Sequence, residues 1–256
     1  MNDYLNLKVC AVQLDIVWEN PEQNMQNIES TLKEEEADLF VLPETFSTGF
    51  SIKRELAETM QGKIVQWMVD SAKKFQIAII GSVIIEENGQ IFNRMILVEK
   101  GGNIQYYNKW HLFNYGSEGK HFTSGNEIKI FDLYGWKIKP IICYDLRFPV
   151  TIRNTEDYDL LVCVANWPDT RIDAWNTLLK ARAIENQAYV IGVNRVGSDG
   201  SKLNYCGNSS IIDPMGKNIQ IEKKENIFYA EIKKETISKI RKSFPFLVDR
   251  DHFNLG

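Results

Sequence analysis

Histidine is scarce in this chain, with three in 256 residues, at positions 111, 121 and 252. The usual proton acceptor for a nucleophilic thiol or hydroxyl is therefore in short supply. Cysteine is scarce too: the four, at 10, 143, 163 and 206, form no CxxC pair and no metal-ligand spacing, so they read as reduced thiols. The longest apolar run, IAIIGSVII from Ile77 to Ile85, is far too short to cross a bilayer. There is no excess of positive charge either, since 30 basic residues face 34 acidic ones, and a net charge of −4 offers nothing to nucleic acid or anionic membrane. The opening MNDYLNLKVCAVQL lacks a basic stretch followed by an apolar one, so no secretory signal is visible. With no Pro/Gly/Ser-rich linker, no repeat and no break in composition, the expectation is a single domain over residues 1–256, cytoplasmic, with no nucleic-acid or membrane partner.

What is present is an alternation of strand-like and helix-like segments. Lys8 to Leu14 is β-rich, and a helix start follows in which Asn20 is the N-cap, Pro21 the first residue and Gln23 the third. Met25, Ile28 and Leu32 continue it at helical spacing, and Leu39 to Leu42 is a short strand ended by Pro43. Ile64, Met68, Ala72 and Phe75 mark a second amphipathic helix, and Ile77 to Ile85 a strand. Arg94 to Val98, Glu127 to Leu133 and Trp136 to Cys143 read as strands joined by glycine turns, and Leu160 to Ala165 as another. A third helix is expected from Asp173 to Gln187 with Ala174, Leu178, Ala181 and Ile184 on one face, then strands Tyr189 to Asn194 and Ser209 to Asp213, with further β segments after them. Strands outnumber helices, which favours an α/β layered sandwich with a mixed sheet.

Three places combine a strand end with a reactive side chain. In KPIICYDLRFP the apolar run ends at Cys143 and charge follows at once. A free thiol is more often plain core, as Cys10 and Cys163 inside apolar strands suggest. A thiol at a strand-to-helix turn instead stands exposed above the sheet edge, near a helix N-terminus that favours thiolate. In LFVLPETFSTGF, Glu44 sits among Phe40, Val41, Leu42, Phe46 and Phe50, where desolvation of the charged form suits a proton acceptor better than a solvated loop carboxylate. In YYNKWHLF, Lys109 is flanked by aromatics, as a snorkelling side chain or a fixed positive charge. His111 beside it leaves a Cys/His hydrolase open.

LPETFSTGF, YNKWHLF and IICYDLRFP, in that order, resemble the signatures of the nitrilase superfamily of carbon–nitrogen hydrolases. GSEGKHFTSGN, ANWPDTR and KARAIENQAYVIGVNRVGSDG extend the likeness over nearly the whole chain. The resemblance implies a four-layer αββα sandwich, no metal or organic cofactor, and pairing into homodimers. It makes Glu44 the general base, Lys109 the cation on the oxyanion, Cys143 the nucleophile, Glu118 a supporting carboxylate, and the Tyr144 N–H a second oxyanion donor. Asp145 and Arg147 are expected to fix the turn by charge-assisted hydrogen bonds. CYDLRFP, ANWP and NRVGSDG look most like the bacterial omega-amidases, which release ammonia from the terminal amide of 2-oxoglutaramate or 2-oxosuccinamate. The small anionic substrate this implies needs cations, for which Arg171, Arg195 and Lys120 are candidates, and walls, for which Phe113, Tyr115, Trp167 and Trp175 are. A deaminated-glutathione amidase, a carbamoylase, a true nitrilase or a non-catalytic scaffold are the rival readings.

Overall fold

The computed structural model describes residues 4–253. Two sheets stack face to face. The first is seven-stranded, in the order β13 (Ile221–Lys224), β14 (Ile227–Lys233), β1 (Asn6–Val12), β2 (Leu39–Val41), β3 (Ala78–Glu87), β4 (Gln90–Val98) and β5 (Ile104–Asn108). The second is five-stranded, in the order β12 (Ser210–Ile212), β9 (Tyr189–Asn194), β8 (Leu160–Ala165), β7 (Trp136–Ile142) and β6 (Phe131–Leu133). Both are mixed: β1–β2–β3 and β7–β8–β9 are parallel and the flanking pairs antiparallel. A separate two-stranded hairpin joins β10 (Val196–Ser198) to β11 (Asn204–Cys206).

Side-chain alternation along the strands sorts the core into layers. Val9, Ala11, Val41 and Ile80 of the first sheet meet Ile138, Ile142, Val162 and Ile191 of the second in one buried cluster. The neighbouring residues Cys10, Phe40 and Ile79 point the other way, onto Ile28 and Leu32 of α1 (Pro21–Glu34) and Val65 and Met68 of α2 (Lys63–Phe75). On the far side Ile141, Leu161 and Cys163 pack against Trp175, Leu179 and Ala183 of α4 (Ile172–Asn186). The result is the expected αββα sandwich. No helix among the described residues is long and apolar enough to cross a membrane.

The Asn20 cap is as expected, its side chain accepting from the Gln23 N–H at 3.2 Å. Other expectations need correction. Of the strand expected over Glu127 to Leu133, only Phe131–Leu133 forms. The core face of α4 lies one residue off the expected stripe: Trp175, Leu179, Arg182, Ala183 and Asn186 are buried, whereas Ile184 is 48% exposed. Apolar periodicity misjudged that face because two of its members are polar and hydrogen-bonded inside. Arg182 donates to the Leu146 carbonyl at 2.7 Å, and Asn186 accepts from the Asn154 N–H at 2.8 Å. The β segments expected after Asp213 form as β13 and β14, and α5 (Lys234–Ser243) follows them. The segment beyond it tucks onto its own domain, with Leu247 buried, Gln187 donating to the Phe244 carbonyl and Arg250 paired with Asp157. A short helix, α3 (Pro149–Ile152), follows the Cys143 turn.

Candidate active site

Three chain segments leave the same edge of the sandwich. After β2, Leu42 still donates to the Ile80 carbonyl, and Thr45, at φ 43°, donates its N–H to Ser82 Oγ at 2.8 Å. Glu44 is thereby held inward, 1% exposed. After β5, the Lys109 N–H donates to the Asn93 carbonyl at 2.9 Å, and its own carbonyl accepts from Gly125. Gly125 cannot be larger, since a Cβ there would stand 2.3 Å from the Asn108 carbonyl oxygen. After β7, Cys143 takes φ +46° and opens a 3₁₀ turn, Cys143–Arg147. Such a backbone is unfavourable for a side chain with a Cβ and persists only where its surroundings enforce it.

Asp145 does the enforcing. One carboxylate oxygen accepts from the Ile142 N–H at 3.0 Å and the Tyr107 hydroxyl at 2.9 Å. The other accepts from the His111 N–H at 2.8 Å and lies 2.9 Å from His111 Nδ1. Arg147 takes no part in this, contrary to expectation. Its guanidinium lies 4.9 Å above the Trp167 ring, at the cavity wall. His111 is committed to Asp145 and stacked on Phe148 with 3.8 Å between ring centres, and is not among the residues lining the cavity. That removes the Cys/His arrangement.

At the centre is a buried cluster of one ammonium and two carboxylates. Lys109 Nζ is 3.0 Å from Glu44 Oε1 and 3.0 and 3.1 Å from the two Glu118 oxygens. Burial works against the ammonium, but the charges of Glu118 and Glu44 outweigh it and hold Lys109 protonated above its ordinary range. Glu118 lies above its ordinary value, because burial and the Glu44 charge exceed the pull of Lys109. Its Oε2 also accepts from the Phe113 N–H at 2.5 Å. Two asparagines complete the cluster. Asn93 donates to Glu44 Oε1 at 2.8 Å and reaches Glu118 at 3.4 Å. The Asn166 N–H donates to Glu44 Oε2 at 2.8 Å while its side-chain amide donates to the Glu44 carbonyl at 2.8 Å.

Glu44, Lys109 and Cys143 open onto one cavity of about 390 Å³. The Cys143 thiol is pushed well above its usual range by burial, with the Glu44 charge adding and Lys109 opposing. That direction runs against the expected thiolate at a helix N-terminus: burial favours the neutral thiol, and the pull of Lys109 does not overcome it. Phe113, Tyr144, Trp167 and Arg171 line the same cavity, Arg171 lying over the Phe113 ring at 5.5 Å. Arg195 does not. It is fully buried and donates to the carbonyls of Ile16, Val196 and Ser198. Lys120 and Tyr115 are exposed away from the cavity, and Trp175 is core, its indole N–H donating to the Asn208 carbonyl.

The sequence reading missed Asn93 and Asn166. Asn93 was detectable as a polar residue in the apolar run IFNRMILV, and Asn166 lies beside the noticed Trp167. Phe50, noticed as a neighbour of Glu44, lines the cavity too, as do Trp18, Asp199 and Tyr205, which nothing local in the sequence marks. Among the described residues no group of three or more His, Cys, Asp or Glu side chains is arranged to hold a metal ion.

Comparison with known proteins shows the family. The carbon-nitrogen hydrolase family model matches residues 8–242, and the chain belongs to that family. It is 40% identical over 252 residues to the omega-amidase YafV of Escherichia coli, covering 97% of this chain and 98% of that one. It is 36% identical over 250 residues to the 2-oxoglutaramate amidase of Bacillus subtilis, covering 94% and 96%. Among solved structures, the CN-hydrolase superfamily protein XC1258 of Xanthomonas campestris, with an arsenic adduct in its active site, superposes with a TM-score of 0.93 at 40% identity, covering 98% and 99%. Nit3 of Saccharomyces cerevisiae, from branch 10 of the nitrilase superfamily, gives 0.83 at 26%, covering 96% of each chain. The protein is a hydrolase of carbon–nitrogen bonds in that superfamily.

Proposed function

We propose that the protein is an omega-amidase, hydrolysing the terminal amide of a small 2-oxo dicarboxylic acid through a cysteine thioester. The observation that carries this is the Lys109 ammonium held between Glu44 and Glu118 on the cavity that also takes Cys143. A thiol that is protonated at rest needs a base, and Glu44 is the carboxylate placed to serve. In the cycle we infer, the Cys143 proton passes to Glu44 as the sulfur bonds to the amide carbon. The oxyanion is met by Lys109 and the Tyr144 N–H, donors of a kind worth about 3–4 kcal/mol each. Collapse expels the nitrogen as ammonia, which takes its proton from Glu44. Water then gives a proton to Glu44, its oxygen attacks the thioester, and the acid leaves with Cys143 again a thiol. Glu118 holds Lys109 in place and is not itself consumed.

The choice of substrate is supported by the cavity's cations. Arg147 and Arg171 both line it, each lies over an aromatic ring, and neither pairs with a carboxylate among the described residues. They are the side chains placed to take the distal carboxylate and the 2-oxo group, with Phe113 and Trp167 as walls. The names of the bacterial relatives favour 2-oxoglutaramate over the other amides of this chemistry. The resemblance also carries a homodimer, for which Ile184 on α4 and Phe244 and Phe246 after α5 offer exposed apolar surface.

Ammonia release from 2-oxoglutaramate, measured for wild type and Cys143→Ala, tests the reading. Release by wild type alone is the expected result. Activity in the Ala variant would sink the thioester, and no release by either would sink the substrate.

A further inference from the structure

Arg195 is a large, fully buried cation that the proposed cycle does not use. Its Nε donates to the Val196 carbonyl at 3.1 Å, and one terminal nitrogen donates to the carbonyls of Ile16 at 3.1 Å and Ser198 at 2.8 Å. Its guanidinium lies 4.8 Å from the centre of the Tyr205 ring. The Tyr205 hydroxyl donates to Asp199 Oδ2 at 2.7 Å, and Asp199 Oδ1 accepts from the N–H groups of Ser201 at 2.8 Å and Leu203 at 3.0 Å. Asp199, Ser201, Leu203 and Tyr205 are the four residues that the β10–β11 hairpin contributes to the cavity wall. One chain of contacts thus joins these wall residues to a buried side chain outside the cavity, which also lies 3.7 Å from Asp15 Oδ1. The hairpin's seat is close-fitting as well: the Val196 N–H donates to the Leu14 carbonyl at 2.8 Å, and a Cβ at Gly200 would stand 2.3 Å from Trp18 Nε1.

We propose that Arg195 is a positioning residue: it seats the β10–β11 hairpin, and the hairpin wall sets the length of acyl chain the cavity admits. The proposal rests on the amidase reading above. On this proposal a substrate one methylene longer presses on the hairpin wall, and a single methylene in an apolar pocket changes specificity by about 10- to 200-fold. Loosening the seat leaves the Glu44–Lys109–Cys143 geometry in place, so the effect falls on KM and on chain-length preference rather than on kcat.

The test compares kcat and KM for 2-oxoglutaramate and its one-methylene homologue 2-oxoadipamate in wild type and Arg195→Met. Wild type is expected to favour the shorter amide by about tenfold or more in kcat/KM. In Arg195→Met the preference should narrow to within about twofold, KM for the shorter amide should rise at least about fivefold, and kcat should change less than about threefold. An unchanged preference, or a fall in kcat at constant KM, overturns the proposal. Arg195→Met leaves three carbonyls without their donor, so Tyr205→Phe, which removes only the link to Asp199, is measured beside it. A smaller shift in the same direction is expected there, and no shift in either folded variant counts against the idea. Should wild type turn over neither amide, the substrate reading fails and the hairpin is judged separately, by alkylation of Cys143 with iodoacetamide and N-hexyl-iodoacetamide. Wild type should react at least about tenfold more slowly with the longer reagent and Arg195→Met with little preference; equal ratios in the two proteins overturn the hairpin's role.

Discussion

Glu44 plays two opposed electrostatic parts. As a base it must accept the Cys143 proton, but as a neighbouring negative charge it makes that proton harder to remove. Replacing it separates the two. In Glu44→Gln the negative charge is gone, Lys109 keeps only Glu118 as counterion, and the Cys143 thiol should become more acidic. Alkylation of Cys143 by iodoacetamide near neutral pH is then expected to be faster than in wild type. Amide hydrolysis in the same variant should fall by about 10²- to 10⁴-fold, the usual contribution of a general base. Alkylation that slows together with turnover would mean that Glu44 does not act by charge on the sulfur. The sequence marked Glu44 and Cys143 because each ends an apolar strand, and Lys109, which follows the half-exposed β5, by its aromatic neighbours. It concealed Asn93, Asn166 and the cavity side of Arg147, whose roles exist only once β4, β8 and the Cys143 turn come together. It misled about Arg195, because a guanidinium bound to three backbone carbonyls looks, in one dimension, like any other arginine.

Helices and strands were legible where one face carries the apolar residues, as in α1 and α2. On α4 the helix was legible but its core face was not, because polar residues are buried there, and β5, half exposed, was not legible at all. α2 starts with a device that no local pattern announces. Its N-cap, Gly62, has no side chain to offer, and Glu58 reaches over instead, accepting from the N–H groups of Ile64 at 3.0 Å and Val65 at 2.8 Å. A Cβ at position 62 would meet the Glu58 carboxyl carbon at 2.5 Å, so glycine and glutamate are matched. Glu58→Ala leaves two N–H groups of the first turn uncapped and should cost about 1–2 kcal/mol. In urea the unfolding midpoint should fall at unchanged slope, with amidase activity retained in the folded protein, since Glu58 does not line the cavity. A lost activity with an unmoved midpoint would contradict the capping role.

At the scale of the whole molecule, the two-sheet packing is what sequence alone did not show, and it fixes an unusual feature of stability. Lys139 lies in β7 and is only 4% exposed. Asp145 and Glu156 attract it from a distance, but among the described residues no carboxylate is within ion-pair range, and burial lowers it from 10.5 to about 8. The sign follows from linkage. Between pH 8 and 10.5 the unfolded chain holds this proton and the folded one has released it, so this residue's contribution to stability rises with pH through that window. Below pH 8 both states are charged and the folded state carries the full penalty, about 3 kcal/mol for a shift of this size. Buried Tyr107, Tyr158 and Cys163 act in the opposite sense at alkaline pH, because burial holds each well above its usual value and the unfolded chain ionises first. The pH profile of the wild type alone is therefore a mixture, and the difference between wild type and Lys139→Met isolates the lysine. The Met variant fills a similar volume without the charge and should be the more stable by up to about 3 kcal/mol at pH 7. That advantage should shrink from pH 8 upward and vanish near pH 10.5. A constant difference across the range would show that it comes from packing, with the ammonium already solvated in the folded protein.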